Sequence, residues 1–345
     1  MAAAAVLLQV FLLGSCTVES LDESATGKDG STLISFEGSM SVGANGFIDG
    51  SKGATRGARA DAENLSFGVS GSVYPAANDY STALCSNYFR NVNVTTADGE
   101  TSYLWPSNEY RLSFYAYSPY NGTGITLGSA DNTGKMQYTY SASATVASQV
   151  DFCTADVTNV SCPSTDPVEL DFSHRTSEFT FRVRNNTPNT ITVNSVRLMS
   201  FYKTGVWDGD SWDPDEETES SFTLTVGQTV ASGGILDVTG TSNHFFMVPQ
   251  TKAAGADMIR LEIVKDAATT VFLHQHPTAF VAEAGHSYAF DLTISSGMEV
   301  DTSSDISSWE MSVDYVDYAT GSINPWDPTG NIDHAEDGGI DPWSN

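Results

Sequence analysis

Along most of this chain apolar and polar residues alternate in short runs, the two-residue period of half-buried β-strands. Ile34 and Phe36 fall on one side of a run that begins at Leu33. Residues 65–74 place Phe67, Val69, Gly71 and Val73 on one face, and residues 89–94 follow beyond a turn. Residues 110–117 form an aromatic strand stopped by Ser118-Pro119. The clearest pair is Val168, Leu170 and Phe172, then Phe179, Phe181 and Val183, with Thr180, Arg182 and Arg184 expected to face out and His174 in the loop between. In residues 191–201 the apolar phase slips between Val193 and Val196, which predicts a β-bulge. Further strands are predicted at 221–226, 245–248, 259–264, 271–273 and 288–294. A last one has Trp309, Met311, Val313 and Tyr315 alternating with Glu310, Ser312 and Asp314. Amphipathic helical periodicity is nearly absent, and no fixed-period repeat occurs.

The strand spacing is that of a β-sandwich, and the wealth of Thr, Ser, Gly and Tyr favours strands and turns over helices. A chain of 345 residues is long enough for about two cores, because single cores stop growing near 250 to 300 residues. The expected fold is all-β with two tandem sandwich domains, residues 31–165 and 166–318, meeting in the turn-rich segment 161–167. Residues 17–30 read as a polar tether. Residues 38–63 read as an exposed loop carrying Lys52, Arg56 and Arg59, in a setting where proteases cut. Residues 319–345 form an acidic tail rich in Gly, Pro and Trp, with Ile323-Asn324-Pro325-Trp326 resembling Ile340-Asp341-Pro342-Trp343.

Charge narrows the partners. Fifteen Lys and Arg stand against 43 Asp and Glu, a net charge of −28, and no Lys or Arg follows Lys265. Nucleic-acid binding needs clustered basic residues to replace phosphate counterions, so that class is excluded. At the N-terminus, Leu13-Gly14-Ser15-Cys16 closes an apolar run and resembles a bacterial lipobox. The run from Ala2 to Leu13 is shorter than the roughly 20 residues of a bilayer span and suits a signal-peptide core, residues 1–16. No Lys or Arg precedes it. The expected mature chain begins at a lipidated Cys16, outside the cytoplasm; the alternative is an apolar strand with an incidental cysteine.

Candidate chemistry is sparse. No GxSxG elbow, HExxH helix, P-loop or dinucleotide loop is present, so no enzyme activity and no cofactor are expected. Cys85, Cys153 and Cys162 remain after Cys16, and a Cys153–Cys162 disulfide and unpaired thiols stand as alternatives. Zinc would need a CxxC-like pair or a neighbouring His, and sequence proximity supplies neither, so no metal site is expected. His274 and His276 share a strand face, where a structural role is favoured over a metal. His174 is expected to bond to backbone. Asp208, Asp210, Asp213, Asp215, Glu216 and Glu217 make an acidic loop that does not follow the EF-hand spacing for Ca²⁺. Trp207 and Trp212 beside it, with Trp326 and Trp343, define an alternative function: a surface glycan-binding lipoprotein.

A series of short motifs then occurs in order over nearly the whole chain: Cys16, Ile34-Ser35-Phe36, Phe67-Gly68-Val69, Tyr103-Leu104-Trp105-Pro106, Leu112-Ser113-Phe114-Tyr115-Ala116-Tyr117-Ser118-Pro119 and Leu170-Asp171-Phe172-Ser173-His174. They continue through Phe246-Met247-Val248-Pro249-Gln250, Gly285-His286-Ser287-Tyr288, Leu292-Thr293-Ile294 and Ile306 with Trp309. In these the chain resembles the fimbrillin-like lipoproteins of Bacteroidales, a family of major, minor and tip subunits of a protease-assembled pilus. The resemblance implies transthyretin-like topology in both domains, export as an outer-membrane lipoprotein and removal of the N-terminal segment by an Arg-specific protease. It also implies polymerisation by strand exchange with other fimbrial subunits and, for a tip or accessory subunit, a host or bacterial surface receptor; the membrane is met through the lipid alone. Mapped onto this chain, the candidate scissile residues are Arg56 and Arg59, the candidate displaced strand is Leu33, Ile34 and Phe36, and the candidate donor strand is Trp309, Met311, Val313 and Tyr315. The tail beyond the donor strand suggests a tip or accessory subunit over a repeating shaft subunit.

Overall fold

The computed structural model describes residues 32–40, 65–78, 84–95, 99–240, 242–265, 268–296 and 309–319, the last with side-chain detail at Met311. The protein is all-β: no α-helix occurs among these residues, and no helix there is long and apolar enough to cross a membrane. In chain order the first strands are β1 (Leu33–Met40), β2 (Ser66–Pro75), β3 (Ser86–Thr95), β4 (Glu100–Leu104) and β5 (Tyr110–Ser118). Then come β6 (Ile125–Ala130), β7 (Met136–Ser141), β8 (Cys153–Ser161), β9 (Val168–His174), β10 (Ser177–Asn185) and β11 (Ile191–Tyr202). The next are β12 (Thr204–Trp207), β13 (Trp212–Pro214), β14 (Glu219–Val230), β15 (Ile235–Asp237), β16 (Phe245–Met247) and β17 (Gln250–Lys252). The chain closes with β18 (Asp257–Lys265), β19 (Ala268–Gln275), β20 (Phe280–Ala282), β21 (His286–Ser296) and β22 (Trp309–Ala319).

A seven-stranded sheet in the order β3-β2-β5-β8-β9-β1-β4 builds the first core. Its two edges curl until they meet, where the Tyr88 hydroxyl donates to the Leu104 carbonyl at 2.6 Å and the Phe89 and Tyr103 rings lie 4.6 Å apart. Phe36, Phe67, Phe114, Phe172 and Trp105 fill the interior. Strand β2 is buried on both faces, and Gly71 is what lets β3 approach: a Cβ there would lie 2.8 Å from the Phe89 ring.

The second core lies between the sheet β15-β10-β21-β22, to which β16 adds beside β10, and the sheet β14-β11-β18-β19. Phe179 meets Phe201 edge-on at 5.2 Å across this interior. The bulge expected in β11 is present: the pairing with both β14 and β18 shifts register between Val193 and Ser195. The extra residue lets Val193 and Val196 both reach the core, each fully buried. A third sheet, β13-β12-β7-β6, packs Tyr138, Tyr140 and Trp207 onto this second core.

Two expectations read differently in three dimensions. The segment 161–167 connects β8 to β9, which are antiparallel neighbours in the first sheet, and the chain leaves that sheet after His174. Strands β6 and β7, from well before that segment, carry residues of the second core. The outer face of β10 is not simply solvated either. Asp291 on β21 is completely buried there and accepts from Arg182 at 2.5 Å and Arg184 at 3.4 Å, an ion cluster that alternation alone reads as surface.

Candidate functional site

Strand β1 occupies an interior position in the first sheet. It runs parallel to β9 from Phe36 opposite Val168 to Met40 opposite Phe172, and antiparallel to β4 with Leu33 opposite Leu104. Ile34 is 0% exposed and Phe36 3%, whereas Leu33 is 40% exposed. Phe36 stands edge-on to Phe114 at 5.1 Å and to Phe67 at 6.4 Å. The backbone is bound on the β4 side too: Phe36 N–H donates to the Gly99 carbonyl at 2.8 Å, and Thr101 Oγ1 donates to the Ile34 carbonyl at 2.8 Å. Gly99 has φ +51°, and a Cβ there would come 2.7 Å from the Phe36 carbonyl oxygen, so glycine makes this close approach possible. The seat of β1 is therefore a slot between β4 and β9 floored by aromatic side chains.

Strand β22 is held differently. It pairs antiparallel with β21 along its whole length, from Trp309 opposite Ser296 to Ala319 opposite His286, and among the described residues it is the last strand of the sheet. The register sets Met311, Val313 and Tyr315 opposite Ile294, Leu292 and Phe290, the row that lines the second core. Met311 is half-buried against that core. The displaced-strand and donor-strand candidates thus lie in different sheets of one molecule. Cys16, Arg56 and Arg59 lie outside the described residues, as do Trp326 and Trp343.

The aromatic and acidic candidates between them turn inward. Trp207 is 5% exposed, with the Arg175 guanidinium 4.5 Å over its ring. Trp212 donates its indole N–H to the Arg175 carbonyl at 2.7 Å. Trp207 is core and Trp212 is partly buried against it, because the third sheet folds both rings onto the second core. In the acidic loop Asp208 accepts from the N–H groups of Asp210 and Ser211, each at 2.8 Å, which holds its carboxyl below the usual range. Asp210 pairs with Lys135, and Asp215 caps a short 3-10 turn, Glu216–Thr218. His274 lies in β19 and His276 just beyond it, their rings 6.3 Å apart, with burial and then the neighbouring ring lowering the His274 pKa. Cys85, Cys153 and Cys162 are thiols, not disulfides.

One cluster escapes sequence spacing altogether. His174, expected to bond to backbone, sets its Nδ1 2.5 Å from Asp151 Oδ2 and 3.5 Å from Cys153 Sγ. The antiparallel pairing of β8 and β9 puts Cys153 directly opposite His174, and Asp151 precedes Cys153 by one strand repeat. Burial opposes a charged His174 ring, but the Asp151 carboxylate outweighs it and holds the ring well above its ordinary pKa. Burial and then the Asp151 charge push the Cys153 thiol up to about 11. The paired strand pattern before and after 161–167 is the one sequence signal that could have joined these residues.

Comparison with known proteins gives one strong match. The model of the fimbrillin-like family matches residues 55–309, from between β1 and β2 to the first residue of β22. No curated protein matches the sequence. Among solved structures, a candidate cell adhesion protein from Bacteroides ovatus is 18% identical with a TM-score of 0.47, over 84% of this chain and 98% of that one. Another from Bacteroides uniformis is 16% identical with a TM-score of 0.48, over the same shares, 84% and 98%. The fimbrial anchor protein Mfa2 from Porphyromonas gingivalis is 11% identical with a TM-score of 0.38, over 85% of this chain and 100% of that one.

Proposed function

The chain belongs to the fimbrillin-like family, and from that premise we propose that it is a cell-surface fimbrial subunit, or a tip or accessory adhesin, assembled by protease-triggered strand exchange. Family membership supports the fimbrial and adhesive role. In this reading the chain is exported as a lipoprotein, acylated at Cys16 and displayed on the outer membrane, with its two cores as tandem sandwich domains. Cleavage after Arg56 or Arg59 then discards the lipid and β1 together, and the chain passes into a fibre of like or related subunits. A tip or accessory subunit would in addition contact a host or bacterial surface receptor.

The observation that carries the proposal is the seating of β1. It is an interior strand anchored by two buried side chains, and the arginine-bearing loop follows it directly in sequence. Its removal leaves unpaired N–H and C=O groups on β4 and β9 and uncovers the aromatic floor, a template for a replacement strand. Strand β22 offers the same two-residue apolar period, and as an edge strand it leaves its own sheet without splitting it. The β22 strand of one molecule would then refill the slot of the next.

Replacing both arginines tests the route. Cells expressing the Arg56→Ala, Arg59→Ala chain are expected to retain the full-length lipoprotein and to lose both polymer ladders on gels and filaments in electron micrographs. Ladders of unchanged intensity would overturn the proposal.

A further inference from the structure

We propose that Asp151, Cys153 and His174 form a zinc site, with three protein ligands and solvent as the fourth. The inference is independent of strand exchange. The three ligand atoms lie within 4.8 Å of one another, on one face of the β8–β9 hairpin: Cys153 and His174 are cross-strand partners, and Asp151 is one strand repeat away.

The spacing fits a tetrahedron. With Zn–S of about 2.3 Å and Zn–N of about 2.0 Å, the sulfur-to-nitrogen edge is about 3.5 Å. The Cys153 Sγ to His174 Nδ1 distance is 3.5 Å. The nitrogen-to-carboxylate edge of such a site is about 3.3 Å, against 2.5 Å here, where the ring and the carboxylate are hydrogen-bonded. The carboxylate must therefore draw back by about 0.8 Å. Asp151 is the ligand able to do so: it precedes β8 and its side chain is 29% exposed, whereas His174 is 9% exposed. Binding exchanges the His174 Nδ1 proton and the Cys153 thiol proton for the metal and releases both to solvent.

Three features favour zinc over a merely hydrogen-bonded pair. The donor set of one sulfur, one nitrogen and one oxygen suits zinc, whereas Ca²⁺ and Mg²⁺ take oxygen ligands. Thr176 Oγ1 donates to the other Asp151 oxygen at 2.8 Å, the outer-shell bond that orients a ligating carboxylate. The nearby Arg175 is turned aside, its Nε bound to Thr154 Oγ1 at 2.7 Å and its guanidinium stacked on Trp207. A zinc ion there would tie β8 to β9 and, through Thr176, to the start of β10.

The test is titration of the metal-stripped full chain with Co²⁺, followed by displacement with Zn²⁺. One equivalent of Co²⁺ is expected to produce a thiolate-to-cobalt charge-transfer band that zinc abolishes. Cys153→Ser should lose the band, Cys162→Ser should keep it, and Thr176→Val should weaken cobalt binding about 10-fold. Absence of the band in the wild type, or its survival in Cys153→Ser, would overturn the assignment. X-ray absorption of the zinc-loaded wild type decides the case without any variant: one sulfur among nitrogen and oxygen neighbours supports the site, and a shell without sulfur refutes it.

Discussion

Strands β1 and β22 carry the same kind of sequence, apolar residues every second position, yet their sheets hold them in opposite ways. Strand β1 spans eight residues between two neighbours and sinks Ile34 and Phe36 into an aromatic interior. Strand β22 spans eleven residues, pairs with β21 alone among the described residues and has Met311 only half-buried. Depth anchors the first and length of pairing the second. With the same apolar period, an interior strand and an edge strand therefore differ in what their loss would expose. An interior strand leaves behind a groove that demands refilling, whereas an edge strand can depart with its sheet otherwise intact.

Truncating one anchor in each strand should separate them most. Phe36→Ala removes a buried ring from contact with Phe67 and Phe114 and is expected to destabilise the uncleaved chain by about 3 to 5 kcal/mol. Met311→Ala, at a half-buried position, should cost about 1 kcal/mol. Urea unfolding of both variants measures the gap, and equal losses would mean that β22 is as deeply anchored as β1.

A backbone substitution sharpens the picture at the β4 side of the slot. Gly99→Ala forces a Cβ to within 2.7 Å of the Phe36 carbonyl at φ +51°, a left-handed conformation that costs about 1 to 2 kcal/mol for a non-glycine residue. Faster amide exchange across β1 with unchanged exchange across β22 is the expected signature; uniform acceleration would show that the two cores share one unfolding unit.

The weakest effect is read from pH at one histidine of the second core. His244 Nδ1 lies 2.5 Å from Glu178 Oε1 where β16 joins β10 in the second core. Burial lowers the pKa of this ring, but the hydrogen bond and charge of Glu178 together outweigh it and leave the pKa raised. The raised folded-state value means the pair stabilises fully below the unfolded imidazole pKa of about 6.5, and the contribution is lost as pH climbs through the folded value. The stability difference between wild type and His244→Gln should therefore shrink as pH rises above about 6.5. A difference that grows with pH would reverse the assigned protonation.

Much of the fold is legible in periodicity because burial on one face of a strand imposes alternation on its residues. Phe179, Phe181 and Val183 announce β10, and the slip at Val193 announces the bulge of β11. Strands such as β6, with Gly128 and Ser129 in its short run, and β13 and β15, of three residues each, leave no such trace. The two exchange candidates were legible as strands, but nothing local distinguishes an interior strand from an edge strand. Trp207 and Trp212 mislead for the same reason: beside six acidic residues they read as exposed, and only the packing of the third sheet buries Trp207 and partly covers Trp212.

The all-β class, most of the core-facing rows, the acidic character and, through its ordered motifs, membership of the fimbrillin-like family can all be read from the amino-acid order. These follow from local alternation and composition, which each segment carries independently of its neighbours. Four features emerge only on folding: the interior seat of β1, the terminal place of β22 among the described strands of its sheet, the buried charges around Asp291 and the meeting of Asp151, Cys153 and His174. Each of these depends on which strands pair and in what register, and pairing is set by the collective burial of distant segments, which no single segment encodes.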